Sequence, residues 1–189
     1  MRTLILALAL TLSAANAYAA AWSVDQGKSK LGFSVVWSGE PLKASFKKWT
    51  ADIDFDPADP SHARVLVAID IGSMTSEDAN NDRYRLGPNG LDVAHFREAR
   101  FVTKSINATS PGHYEAIADL VIHGITREVR LPFALTISGN VARMTGELQL
   151  SRADYKIGTG STWGIDWASE RAVAHGVKVT VDLTATKKP

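Results

Sequence analysis

The stretch LVIHGITREVRLPFAL, residues 120–135, limits the folds open to this chain more than any other. Ile125, Val129, Leu131, Phe133 and Leu135 share one parity, while Thr126, Glu128 and Arg130 share the other. A repeat of two gives a strand with one oily and one wet face. His123-Gly124 reads as a tight hairpin turn, with glycine supplying positive φ. The pattern leaves open what the oily face covers: a packed core, a membrane or a cavity.

The same alternation returns along the chain. Leu31, Phe33, Val35 and Trp37 alternate with Gly32, Ser34 and Ser38; Trp49, Ala51, Ile53 and Phe55 alternate with Thr50, Asp52, Asp54 and Asp56. Val65, Val67, Ile69 and Ile71 repeat it, followed by ARFVTKSI, HYEAIADLVI, the opening segment, ARMTGELQL and VKVTVDLTA. Ser110-Pro111-Gly112 and Ser138-Gly139-Asn140 are short turn clusters, DPADPSH is a proline-punctuated loop, and SGEPLK and GSTWGIDW read as variable loops. Residues 75–98 read as helical, with Thr75 as N-cap, an end at Gly87-Pro88 and a further turn in LDVAHF. A long loop spans 152–171. Eight mostly antiparallel strands with one helical excursion between strands 3 and 4 predict an all-β, closed or nearly closed antiparallel barrel.

Residues 1–19 read as a secretory signal peptide: Arg2, an apolar run from Leu4 to Leu12 broken only by Thr11, and a cleavage site at Ala17-Tyr18-Ala19. Ala15-Asn16-Ala17 is a competing site. The expected folded domain is therefore residues 20–189, exported and free in solution. The full chain carries 21 basic and 20 acidic residues, and losing Arg2 leaves 20 against 20. A neutral protein has no electrostatic case for nucleic acid or an anionic membrane surface. The absence of cysteine excludes disulfides and thiolate chemistry.

An exported barrel can also lie in an outer membrane, so charge placement decides. Asp52, Asp54, Asp56, Asp70, Arg100, Lys104, Glu128, Arg130, Lys178 and Asp182 oppose the apolar face. Crowding them into the narrow lumen of an eight-stranded barrel would demand near-complete pairing. Trp22, Trp163 and Trp167 fall in loops or at strand edges, so aromatic girdles are lacking. The expectation is charges out, apolar residues in, and no membrane embedding.

Four stretches, in order, resemble the YceI-like family of periplasmic, lipocalin-like barrels that bind polyisoprenoid lipids. They are ASFKKWTADIDFDPADP, DIGSMTSEDANNDRYRL with LDVAHFREARF, ADLVIHGITREVRLPF and LSRADYKIGTGSTW, the third being the most specific. Tyr84 stands where the family often has an acidic residue, Leu91 where an aromatic is common and Glu98 where a proline is common. The resemblance implies an apolar tunnel filled by a long isoprenoid such as a quinone tail. Spacing alone fits equally well a barrel packed solid by its own side chains.

On this resemblance the lining comprises Phe33, Val35 and Trp37, Ile53 and Phe55, Val67 and Ile69, and Phe101. Leu120 and Ile122, Leu131 and Phe133, and Val179 and Val181 complete it, with Phe96 as a lid. Arg83 and Arg85 are the headgroup candidates, since arginine hydrogen-bonds a quinone carbonyl or a phosphate; a helix surface with local salt bridges is the alternative. The expected partner is an isoprenoid lipid or quinone, with a homodimer admitted and no cofactor or metal expected.

Other chemical motifs fail on spacing. GTGSTWG lacks the phosphate-loop lysine and is not G-x-S-x-G. His62, His95, His113, His123 and His175 are scattered. Asp52, Asp54 and Asp56 alternate with apolar residues and precede Pro57, as a wet strand face does and a calcium loop does not. Asn107-Ala108-Thr109 matches a sequon that is common by chance. A non-enzymatic lipid-binding barrel is the expected function; a lipid-directed hydrolase and a ligand-free, solid-core structural or stress-protective domain are the opposed readings.

Overall fold

The computed structural model describes residues 20–158, 161–162, 165–166 and 173–189. The expected leader, and Trp163 and Trp167, lie outside the described residues. The chain begins with β1 (Ala21–Val24), β2 (Lys30–Trp37), β3 (Glu40–Phe46), β4 (Trp49–Asp54), β5 (Arg64–Asp70) and β6 (Met74–Thr75). The helix α1 (Ala79–Leu86) follows, then β7 (Glu98–Ser110), β8 (His113–Ile122), β9 (Ile125–Ser138) and β10 (Val141–Ser151). A two-residue pair, β11 (Ser161–Thr162) and β12 (Ile165–Asp166), precedes β13 (Val173–Lys187).

The strands pair antiparallel in the order β1-β4-β5-β7-β8-β9-β10-β13, and β1 closes the ring on β13. β1 and β2 are two stretches of one barrel position. Both pair with β13, through Val24↔Ala185 and Leu31↔Val181, on either side of a turn where the Asp25 carboxylate accepts the Gly27 N–H. β3 and β4 likewise share the next position, against β2 and β1. The result is the expected closed eight-stranded antiparallel barrel with one helix.

Three local expectations are corrected. Trp22 is not in a loop or at an edge; it lies in β1, 4% exposed, and its Nε1–H donates to the Phe55 carbonyl at 3.0 Å. SGEPLK is not a loop throughout: after the Ser38-Gly39 turn, β3 begins at Glu40. Pro41 is accommodated because β3 pairs with β2 on one side, and on the other only at Ser45 and Phe46, with β6. The helix starts not from Thr75 but at Ala79, where the Asp78 carboxylate accepts the N–H groups of Asn80 and Asn81. Thr75 instead extends the sheet opposite Ser45. The helix ends at Gly87, as expected.

Apolar parity points inward and charge outward. Lys104 on β7 joins Asp119 and Glu128 on the outer surface, at 2.7 and 3.1 Å. Asp52, Arg100, Arg130, Lys178 and Asp182 are exposed on the same outer face. This is the reverse of a membrane barrel, whose lipid-facing surface is apolar. Among the described residues, no helix is long and apolar enough to cross a membrane.

The two ends of the barrel differ. At the end formed by the β7–β8 and β9–β10 turns, Trp22, Phe55 and Tyr114 interlock with small inward residues, Ala116, Ala118 and Ala142. Phe55 meets Tyr114 edge-on at 5.3 Å and Tyr114 stacks on Phe133 at 5.3 Å. This is the floor. The opposite end, the mouth, gathers the Ser38-Gly39 turn, α1 and the His123-Gly124 turn, whose two residues have φ of +54° and +71°. A Cβ on Gly124 would come within 3.0 Å of the Phe96 ring, so this turn needs glycine for space as well as for φ.

Candidate functional site

The interior of the barrel is hollow. A cavity of about 760 Å³ lies between the floor and the mouth. No large side chain among the described residues falls below 2% exposure, which a solidly packed domain of this size would not show. Phe33, Val35, Val67, Ile69, Phe101 and Val179 point inward yet are only half-buried. Their inner faces meet open space rather than other side chains.

Each strand supplies its inward parity. Phe33, Val35 and Trp37 of β2, Ile53 of β4 with Phe55 just beyond it, and Val67 and Ile69 of β5 all line the cavity. So do Phe101 of β7, Leu120 and Ile122 of β8, Leu131 and Phe133 of β9, and Val179 and Val181 of β13. Alternation alone brings these expected residues together. Phe96 lies elsewhere: its ring packs on His123 at 4.1 Å, bracing the segment after α1 against the β8–β9 turn. Arg83 is exposed on α1 and does not line the cavity, whereas Arg85 does.

Sequence reasoning missed several cavity residues. Leu42 and Phe46 fell in the strand not foreseen, and Trp22 in another. Trp49 shares parity with Ile53, a signal already present in the alternation. Tyr84 and Leu91, two positions departing from the family pattern, both reach the mouth.

The charged and amide groups that line the cavity gather at the mouth, whereas Thr103 lies deeper in the barrel. Arg85 on α1 donates from Nη1 to Ser76 Oγ at 2.6 Å and to Asp82 Oδ1 at 3.2 Å, and its guanidinium lies 5.4 Å from the centroid of the Trp37 ring. Arg85 Nε is buried without an acceptor. Asp82 is 8% exposed. Burial pushes its carboxyl upward, but hydrogen bonds from Ser76, with Thr75 and the Arg85 charge, outweigh burial and hold it below its ordinary value.

Across the mouth, Arg152 donates to the carbonyls of Ala174, Ile157, Gly158 and Val173 at 2.7–3.1 Å, tying the end of β10 to the start of β13. His123 Nδ1–H donates to the Tyr155 carbonyl at 3.1 Å, leaving Nε2 buried and unpartnered. Burial, helped by Asp154, pushes the Tyr155 phenol up to about 12, so it stays protonated. Among the described residues, no three His, Cys, Asp or Glu side chains cluster as metal ligands.

A model of the YceI-like domain matches residues 22–185. The chain belongs to the YceI-like family. Its relatives include a UPF0312 protein of Pseudomonas fluorescens (strain SBW25), 29% identical over 116 residues, 61% of this chain and 56% of the relative. Another, from Pseudomonas putida (strain W619), is 30% identical over 137 residues, 68% of this chain and 67% of the relative. The chain thus matches 56% of the length of the first relative and 67% of the second. Among solved structures, Burkholderia cenocepacia BcnA superposes with a TM-score of 0.82 at 27% identity, covering 87% of this chain and 100% of BcnA. A polyisoprenoid binding domain from Saccharophagus degradans superposes with a TM-score of 0.66 at 16% identity, covering 89% of this chain and 99% of that domain. At that identity the second match shows the shared YceI-like fold alone.

Proposed function

We propose that the protein binds a long-chain isoprenoid lipid, polyprenyl or quinone-like, with its tail inside the barrel and its headgroup at the mouth. The observation that carries this reading is the hollow interior: about 760 Å³ walled by aliphatic and aromatic side chains. Shielding such a tail from water is a large hydrophobic gain, about 0.8 kcal/mol per methylene-sized group. The Saccharophagus degradans domain of the same fold is described as polyisoprenoid-binding, which supports the choice of lipid. Phe33, Val35, Ile53, Val67, Ile69 and the other lining residues named above then serve as the tail's apolar wall. The leader read over residues 1–19 makes the periplasm the expected compartment, for carriage or storage of the lipid or for protection under stress.

Binding rather than hydrolysis is favoured by the aliphatic hydroxyls among the described cavity residues, Thr103 and Ser151. Thr103 Oγ1 bonds to the Val65 backbone, and Ser151 has no histidine or carboxylate partner among the described residues. A nucleophile would need such a base. A ligand-free structural domain would need a filled interior. The test is organic extraction of the protein purified after export from its native host, followed by mass spectrometry. An isoprenoid lipid in near-stoichiometric amount is the expected result. An extract free of isoprenoids, from protein that also fails to take up added isoprenoids, contradicts the proposal.

A further inference from the structure

We infer that Arg85, with its charge neutralised by Asp82, holds the ligand's headgroup at the mouth, and that it selects an uncharged oxygen acceptor, such as a quinone or amide carbonyl, over a phosphate. This rests on the placement of an isoprenoid tail in the cavity.

The geometry is that of a half-used donor fork. Arginine presents five N–H groups in a fixed plane. In Arg85, Nη1 is engaged by Ser76 Oγ and Asp82 Oδ1. Nε, buried and without an acceptor, forms with Nη2 the side edge of the guanidinium that neither partner reaches. Leaving buried donors unmatched is costly, and a ligand oxygen supplies the match. The indole of Trp37 fixes the guanidinium from one face, so the donors are oriented before a ligand arrives.

Charge then decides which oxygen fits. Asp82 is buried, and it accepts from Ser76 N at 2.9 and 3.0 Å and from Ser76 Oγ at 2.6 Å, contacts that favour its ionised form. Asp82 and Arg85 are thus a pair of zero net charge in a weakly polarisable setting. A phosphate on the free edge would bring negative charge toward Asp82 and lose its own hydration, with no net cation among the described residues of the site to offset either cost. Arg152, the other arginine among the described residues that lines the cavity, has Nε, Nη1 and Nη2 each committed to backbone carbonyls. A neutral carbonyl loses far less hydration and needs only the donors. Asn81 and Asn89, on the same rim, are uncharged as well. Arg83, two residues away and exposed, has no part in this site.

The test compares three ligands with four isoprene units each, a hydrocarbon, a quinone and a monophosphate, on the folded protein and its variants. The unmodified protein should bind the quinone about tenfold tighter than the hydrocarbon, and the phosphate no tighter than the hydrocarbon. Arg85→Met should bring the quinone down to the hydrocarbon level while hydrocarbon binding holds. Asp82→Asn should raise the phosphate about tenfold relative to the quinone, by unmasking the Arg85 charge. If Asp82→Asn no longer folds, as judged by circular dichroism and lost hydrocarbon binding, Arg85→Lys decides: it keeps the charge, removes the fork, and should lower quinone affinity several-fold. Phosphate bound more tightly than quinone by the unmodified protein, or a quinone preference untouched in Arg85→Met or Arg85→Lys, overturns the inference. Failure of every ligand, the hydrocarbon included, overturns the tail reading and this inference with it; hydrocarbon binding with no headgroup discrimination overturns this inference alone.

Discussion

The floor and the mouth of this barrel are built from the same eight strand positions but differ in how completely side chains fill the space between them. At the floor, Trp22, Phe55 and Tyr114 meet one another and the alanines opposite them, and the buried indole N–H of Trp22 is bonded to a backbone carbonyl. At the mouth, the apolar walls stop short of one another, and a short polar helix with one buried ion pair stands beside the opening. Close packing stabilises a fold, whereas open apolar space is a standing cost that a ligand can remove. The floor thus holds the protein together, and the mouth opens into the cavity that the proposed lipid would fill.

If this division is right, truncation should cost most at the floor. Trp22→Ala removes the side chain that fills the closed end and should lower unfolding stability by about 3–5 kcal/mol in a denaturant titration. A loss below about 1 kcal/mol would mean that the floor is not the packed element. Ile69→Trp, in the cavity wall, adds bulk where there is room for it. Its stability should stay within about 1 kcal/mol of the original while isoprenoid uptake falls, which separates filling the cavity from damaging the fold. A large loss of stability there would show the wall to be already packed.

The smallest effect is expected from acid. The folded Asp82 carboxyl lies below its ordinary value of 3.8, so its contribution is complete above that value and is lost as pH falls through the lower, folded one. Hydrogen exchange on α1 should accelerate over that acid range before exchange at the floor does. Simultaneous loss of protection at both ends would remove the distinction.

Much of this was legible in the alternation. The segment 125–135, and its counterparts in β2, β4, β5 and β13, placed the inward residues without knowledge of their neighbours, because parity in a strand fixes the side a residue faces. β1 was missed because four residues, Ala21–Val24, are too short for a periodic signal. β3 was missed because Glu40-Pro41 follows the turn and hides the alternation of Leu42, Ala44 and Phe46. The choice between Arg83 and Arg85 was not legible. Helix α1 has no apolar stripe to mark its inner face, so only the contacts with Asp82, Ser76 and Trp37 distinguish residues two apart. Nor could a hollow interior be read from spacing, since the same inward residues fill a solid core when they meet across the barrel.

On the proposed function, the hollow interior, not the headgroup, supplies most of the affinity. The most direct measurement is a titration of delipidated protein with quinones carrying one, two, four and eight isoprene units, all at the same headgroup. Each added unit should tighten binding by up to a few kcal/mol before ordering costs, until the cavity is full and the gain stops. Affinity that rises with tail length and then levels off is the predicted result. A flat response from one unit to eight, or no binding by any of them, would contradict it.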